Sequence, residues 1–279
     1  MIRKTTVLFM VFCFVWMAAS VAEAATLVVT TTSDATSVDS DCSLREAIAN
    51  INDAAAGTAI TYTECGEPDS SDNEISLPEG TYCAASVFSI EASMTIQGDA
   101  ASTTIIDGGN SAESDTSCAA SASSERIIGI AATGLTVALN DVTIMGGSST
   151  NHGGGISAMN TTTLSLTDAV IKNNEAASSS SKIFGGGVYV ANFSRVTIQS
   201  STISDNHVTV TSTSPSHFAK GGALFVDYQS SITIDDSVFA DNSVTTSSTI
   251  SFGGAICIKN SSSYEASFSM SDSTVSGNT

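Results

Sequence analysis

Residues 195–226, RVTIQSSTISDNHVTVTSTSPSHFAKGGALFV, and residues 231–258, SITIDDSVFADNSVTTSSTISFGGAICI, carry one pattern twice. Aligned on the alternating pairs Val196/Ile198 and Ile232/Ile234, they set Ile203 over Phe239 and Asn206 over Asn242. Leu224/Val226 then falls over Ile256/Ile258. Outward from this pair the pattern recurs at Val137/Leu139, Leu164/Leu166 and Phe268/Met270. Five positions later come Ile144, Ile171 and Val275, and three beyond those stand Gly147, Asn174 and Asn278. The period runs from 27 to 36 residues, and the difference falls almost wholly in 175–184, 207–220 and 243–252, with one insertion near Ser261–Ala266.

Period-two alternation is the signature of a strand with one buried face. Three short strands per repeat, with extra residues admitted at one corner, describe a coil. Coils stacked about 4.8 Å apart bury a continuous apolar interior. The expected fold is therefore all-β, a parallel β-helix of about seven rungs, right-handed by the usual crossover preference. The variable segments read as loops.

Stacked amides form ladders, and Asn tolerates a left-handed corner, so the column Asn174, Asn206, Asn242 and Asn278 is expected to be structural. A second column, Asn160, Asn192, Tyr228 and Asn260, marks the corner after the third strand. The glycine pairs and triplets suit positive φ or close backbone approach.

Residues 1–24 read as a secretory signal: Arg3 and Lys4, an apolar run from Val7 to Ala19, then Ala22-Glu23-Ala24 as a cleavage site. The run is too short for a membrane span, so the mature chain is expected to hold no transmembrane segment. Export favours disulfides among Cys42, Cys65, Cys83, Cys118 and Cys257. Several pairings fit the spacing; the expected one is Cys42–Cys65 and Cys83–Cys118, with Cys257 left over and pointing outward. Nine basic against 28 acidic residues, a net charge of −19, exclude nucleic acid and other polyanions as partners. No calcium-loop motif is present, and no metal or cofactor is expected.

Thr26–Thr32 reads as a first strand. Ser43 with Glu46 three residues on forms a capping box, and Leu44, Ile48 and Ile51 share one helical face. A short helix over roughly 43–53 would cover the first coil. The string Cys42-Ser43-Leu44-Arg45-Glu46-Ala47-Ile48, with Ile75–Tyr82 and Met94–Gly98, resembles the CSLREA-type N-terminal module of exported β-helix proteins. The resemblance covers about residues 26–110 and implies export and architecture, with no activity attached. Arg45 and Glu46 are accordingly read as cap. Phe239-Ala240-Asp241-Asn242, Gly221-Gly222-Ala223-Leu224 and Gly253-Gly254-Ala255-Ile256 resemble repeats of the polymorphic outer-membrane proteins, autotransporters with adhesive β-helical passengers. The organisation expected is signal 1–24, cap and first strands 25–90, and β-helix 91–279, continuing beyond Thr279.

For catalysis on acidic polysaccharides, clustered carboxylates and a basic residue are needed. Asp235-Asp236 is the one adjacent pair in the repeats, and Asp236 shares its slot with Asp141, Asp168 and Asp272, which argues for a corner role. His152, His207 and His217 share no register, and Lys172, Lys182, Arg195, Lys220 and Lys259 are scattered. No catalytic residue is assigned. The outward column Ser157, Tyr189, Phe225 and Cys257 is the candidate binding stripe, either covered by the neighbouring loops or open to a partner. The function expected is an exported or outer-membrane-associated scaffold, adhesin-like and non-enzymatic, facing a host or neighbouring-cell surface glycan or protein. The alternatives are a polysaccharide lyase or glycoside hydrolase acting on acidic glycans, and a structural fragment of a larger surface protein.

Overall fold

The structure is a computed structural model and describes residues 25–69, 73–118, 125–227, 229–247, 250–259 and 266–279. The expected signal, Tyr228, Asn260 and most of the Ser261–Ala266 insertion lie outside these residues.

The alternating segments stack into three long parallel sheets. The first has eight strands, from Thr26–Val28 to Ser267–Ser271; the second has seven, from Gly80–Cys83 to Thr274–Ser276; the third has six, from Phe88–Ile90 to Ile256–Ile258. Register follows the sequence columns: Ile144, Ile171, Ile203, Phe239 and Val275 are successive partners in the second sheet. Leu139, Leu166, Ile198 and Ile234 do the same in the first. These side chains point into one apolar core that begins at Leu27 and runs through the coils. Each fully buried Ile or Leu in it contributes about 1.5–3 kcal/mol. The fold is the expected all-β, right-handed parallel β-helix.

The helix spans Leu44–Ala56, with Ser43 as N-cap, Glu46 closing the capping box and Gly57 in the left-handed region at its C-terminus. Its buried face, Leu44, Ala47, Ile48 and Ile51, joins the main core against the first coil. Every residue of the CSLREA string has a physical task here. Cys42 is bonded to Cys65, and the Glu46 carboxylate accepts from the N–H groups of Ser37 and Ser43. Arg45 grips Asp34 in a two-pronged pair at 2.7 and 2.8 Å, donates to the carbonyls of Ser86 and Val87, and lies over the Phe88 ring. A second disulfide, Cys83–Cys118, ties the loop after Asp107 to the second sheet, and Cys257 is free.

Two expectations are corrected. Asn174, Asn206 and Asn242 are not the left-handed corner residues; Asn173, Asp205 and Asp241 immediately before them are, with φ of 53°, 54° and 55°. That turn frees the ladder amides to face inward. They are fully buried, each Nδ2 donating to the Oδ1 of the next: Asn174 to Asn206 at 3.0 Å, Asn206 to Asn242 at 3.0 Å, Asn242 to Asn278 at 2.8 Å. Asp141, Asp168, Asp236 and Asp272 do take positive φ, at the corner between first and second sheets.

The variable segments, expected as loops, are largely strands. Ser148–Ser149, Glu175–Ser178, His207–Val210 and Ser243–Thr246 form a fourth parallel sheet, and Ile183–Phe184, Ala219–Lys220 and Ser251–Phe252 a fifth. Between them Ala176, Ile183, Val208, Val210 and Ala219 enclose a second, smaller core. The extra residues therefore build a side lobe whose backbone groups pair from coil to coil, as burial demands. At the glycine corners Gly221 takes φ 67°, while the backbone of Ser243 comes so close to Gly222 that a Cβ there would meet its oxygen at 2.7 Å.

Candidate functional site

Tyr189, Phe225 and Cys257 are lateral partners on the outer face of the third sheet. That stripe is roofed. Phe184 stacks on Phe225 with ring centres 4.4 Å apart, His152 lies between Phe184 and Tyr189 at 4.6 and 4.7 Å, and Phe218 closes on Phe184 at 5.8 Å. Phe225 is wholly buried, Tyr189 is 7% exposed and Cys257 half-buried. The stripe is covered, one of the two readings left open by the sequence, but by the strand residue Phe184 of the side lobe together with His152 and Phe218, so it offers little surface to a ligand.

The same column continues towards the N-terminus as Ser157, Gly129 and Ser89. With small side chains on this floor, a cleft of about 250 Å3 opens over Ser89 and Gly129, walled by Val87, Glu125, Arg126 and Asn151. Arg126 leans over Gly129, its Cδ 3.8 Å from where a Cβ would stand. Among the described residues its guanidinium makes no hydrogen bond or salt bridge. Burial lowers the Arg126 pKa, opposed by the charge of Glu125 and the nearby Tyr189. Glu125 is held away from a direct pair, its Oε2 accepting from the Val87 N–H at 3.2 Å.

Beside the cleft, two buried polar atoms have no hydrogen-bond partner: Ser157 Oγ and His152 Nδ1. Burial pulls the His152 pKa to about 4, helped by the positive charge of Arg126 and opposed by Asp227, so its ring is neutral at neutral pH. Burial pushes the Tyr189 phenol up to about 12, with Asp227 adding to the shift. Asp227 itself is bridged to Lys259 at 3.2 Å. Ser157 and Tyr189 thus continue the Ser89–Gly129 column under the roof, while Arg126 walls the open cleft at its N-terminal end.

The remaining candidates stand apart. His207 meets Ser243 on the fourth sheet and His217 meets Ser212 in its loop. Asp235 accepts from Ser271 Oγ on the first sheet, while Asp236 occupies the left-handed corner next to it. Among the described residues no three His, Cys, Asp or Glu side chains converge as a metal site, and no helix is long and apolar enough to cross a membrane. A second cleft, about 450 Å3, lies over the turn into the first sheet beside Phe193 and Arg195, both exposed. Sequence reasoning missed Arg126 because it precedes the regular repeats and has no counterpart in the other coils. The one available signal was an arginine in a chain with only nine basic residues.

A family model described as the right handed beta helix region matches residues 110–279. No curated protein and no solved structure matches the chain.

Proposed function

The chain belongs to the right-handed β-helix family, and from that premise we propose that it is an exported or cell-surface scaffold, adhesin-like and non-enzymatic. Its coils are a rigid support, and the Arg126 cleft holds a glycan or protein of a host or neighbouring cell. The reading rests on one observation above others: a half-buried arginine with no hydrogen bond or salt bridge among the described residues, walling a cleft on a floor of small residues. Burying a charge is costly unless something satisfies it, and at binding sites the ligand does so. Export is supported by the signal-like residues 1–24 and by two disulfides in a small-residue-rich chain. The capping helix with its CSLREA string, and the repeats resembling those of autotransporter passengers, are in keeping with display at an outer membrane.

The test is to display the chain on a non-adherent bacterium and measure retention on glycan- and protein-coated surfaces. Retention that falls in Arg126→Gln supports the proposal; a displayed, folded chain that confers none overturns it. A second reading, a lyase on acidic glycans, has one observation in its favour. Arg126 walls a cleft in which its guanidinium could meet a uronate carboxylate. Release of unsaturated uronate ends from an acidic polysaccharide would establish that reading instead.

A further inference from the structure

We infer that the Arg126 cleft takes a ligand with a single carboxylate on an otherwise uncharged, hydroxyl-rich body about the size of one sugar ring. The inference rests on the cleft being the ligand site and adds the chemistry of what fills it.

The charge count comes first. The cleft wall offers one guanidinium, whose planar fork matches a carboxylate through two parallel hydrogen bonds. Glu125 stands next to it, so a second negative charge on the ligand would meet repulsion at short range. The whole chain carries −19, and that field opposes polyanions at longer range. A polyuronate is therefore excluded by the same residues that admit one isolated acid.

The uncharged part of the ligand follows from the rest of the lining. Ser89 and Asn151 supply hydroxyl and amide groups. Glu125 has one oxygen on the Val87 N–H and its other, Oε1, is left to accept from a ligand hydroxyl. Ser157 is the next residue of the column that forms the floor; it is wholly buried, and its Oγ has no partner. At about 250 Å3 the cleft falls below the ~300–1,000 Å3 typical of sites for drug-sized molecules, so a single ring fills it.

The experiment is calorimetric titration of the mature full-length chain with methyl β-glucuronide, its uncharged twin methyl β-glucoside, acetate, and polygalacturonate. The glucuronide is expected to bind at least about tenfold more tightly than the glucoside. Arg126→Gln should abolish that preference while the melting temperature is retained. Gly129→Ala, whose Cβ would press on Val87 Cγ2 at 3.2 Å, should weaken both sugars together. Equal binding of glucuronide and glucoside, or an unaltered preference in Arg126→Gln, overturns the inference. So does silence of the glucuronide up to about 10 mM. Acetate binding as well as the glucuronide refutes the hydroxyl-rich body, and polygalacturonate outcompeting the glucuronide refutes the single charge. Surface retention lost in Arg126→Gln, with glucuronide and glucoside bound equally by the parent chain, would leave the cleft as the adhesive site and sink this inference alone.

Discussion

Replacing Asn206 by alanine is the sharpest test of how the coils are held in register. Its Nδ2 donates to the carbonyls of Ile171 and Ser204, both at 2.9 Å, and to Asn242 Oδ1 at 3.0 Å. Its Oδ1 accepts from the Asn174 N–H at 3.1 Å and from Asn174 Nδ2 at 3.0 Å. Alanine removes all of these, but the losses are unequal. Asn242 Oδ1 keeps the Asn206 N–H, and Asn174 Nδ2 keeps the carbonyls of Ile144 and Lys172. The buried Asn174 N–H keeps nothing, and two carbonyls lose their side-chain donor. One orphaned donor at about 1–3 kcal/mol, two weakened acceptors and a small cavity sum to roughly 3–5 kcal/mol. Stacked coils need not unfold in one step, so urea midpoints should be paired with amide exchange at Asn174. In Asn206→Ala that amide should exchange at least about a hundredfold faster. A loss under about 1 kcal/mol, or an unmoved Asn174 amide, would show that the column is not a hydrogen-bonded ladder.

Gly222→Ala should cost about 3 kcal/mol or abolish soluble expression, because its Cβ would collide with the backbone of Gly254 and Ser243; urea denaturation reads this, and a loss under 1 kcal/mol contradicts it. Replacing Cys42 and Cys65 together by serine opens a loop of 23 residues and should lower stability by roughly 3 kcal/mol, loosening the helical cap first, as limited proteolysis of the cap would reveal. The folded protein keeps the His152 ring neutral until about pH 4, whereas the unfolded chain takes up its proton near 6.5. Stability should therefore fall as pH drops from 6.5 towards 4, and His152→Gln should flatten the melting temperature in the upper part of that window. An unchanged slope would place the pH dependence elsewhere.

The coils were legible because their partners are written at fixed offsets: Ile171, Ile203 and Phe239 align in sequence and pair in the second sheet. The capping box was equally open to reading, since Ser43 and Glu46 act within one turn. What stayed hidden depends on partners in other coils. Glu175–Ser178 has too little alternation to announce a strand, and becomes one because His207–Val210 runs beside it. The corner fell one residue from its expected place, because a carboxamide that faces inward cannot also be the residue that turns the chain. Arg126 belongs to a coil outside the regular pattern, and the small residues that leave room for it, Ser89 and Gly129, gain meaning only once the third sheet is assembled.

The carboxamides of Asn174, Asn206 and Asn242 all point the same way, each handing its hydrogen forward to the oxygen of a later coil. The column is therefore a one-way street whose small dipoles add along the axis. It also matches the order of synthesis. A later turn offers the oxygen that its predecessor's amide takes, so growth from the disulfide-tied amino end would complete one waiting donor at a time. A chain threaded out of a cell in that direction would never need to undo a finished turn to admit the next.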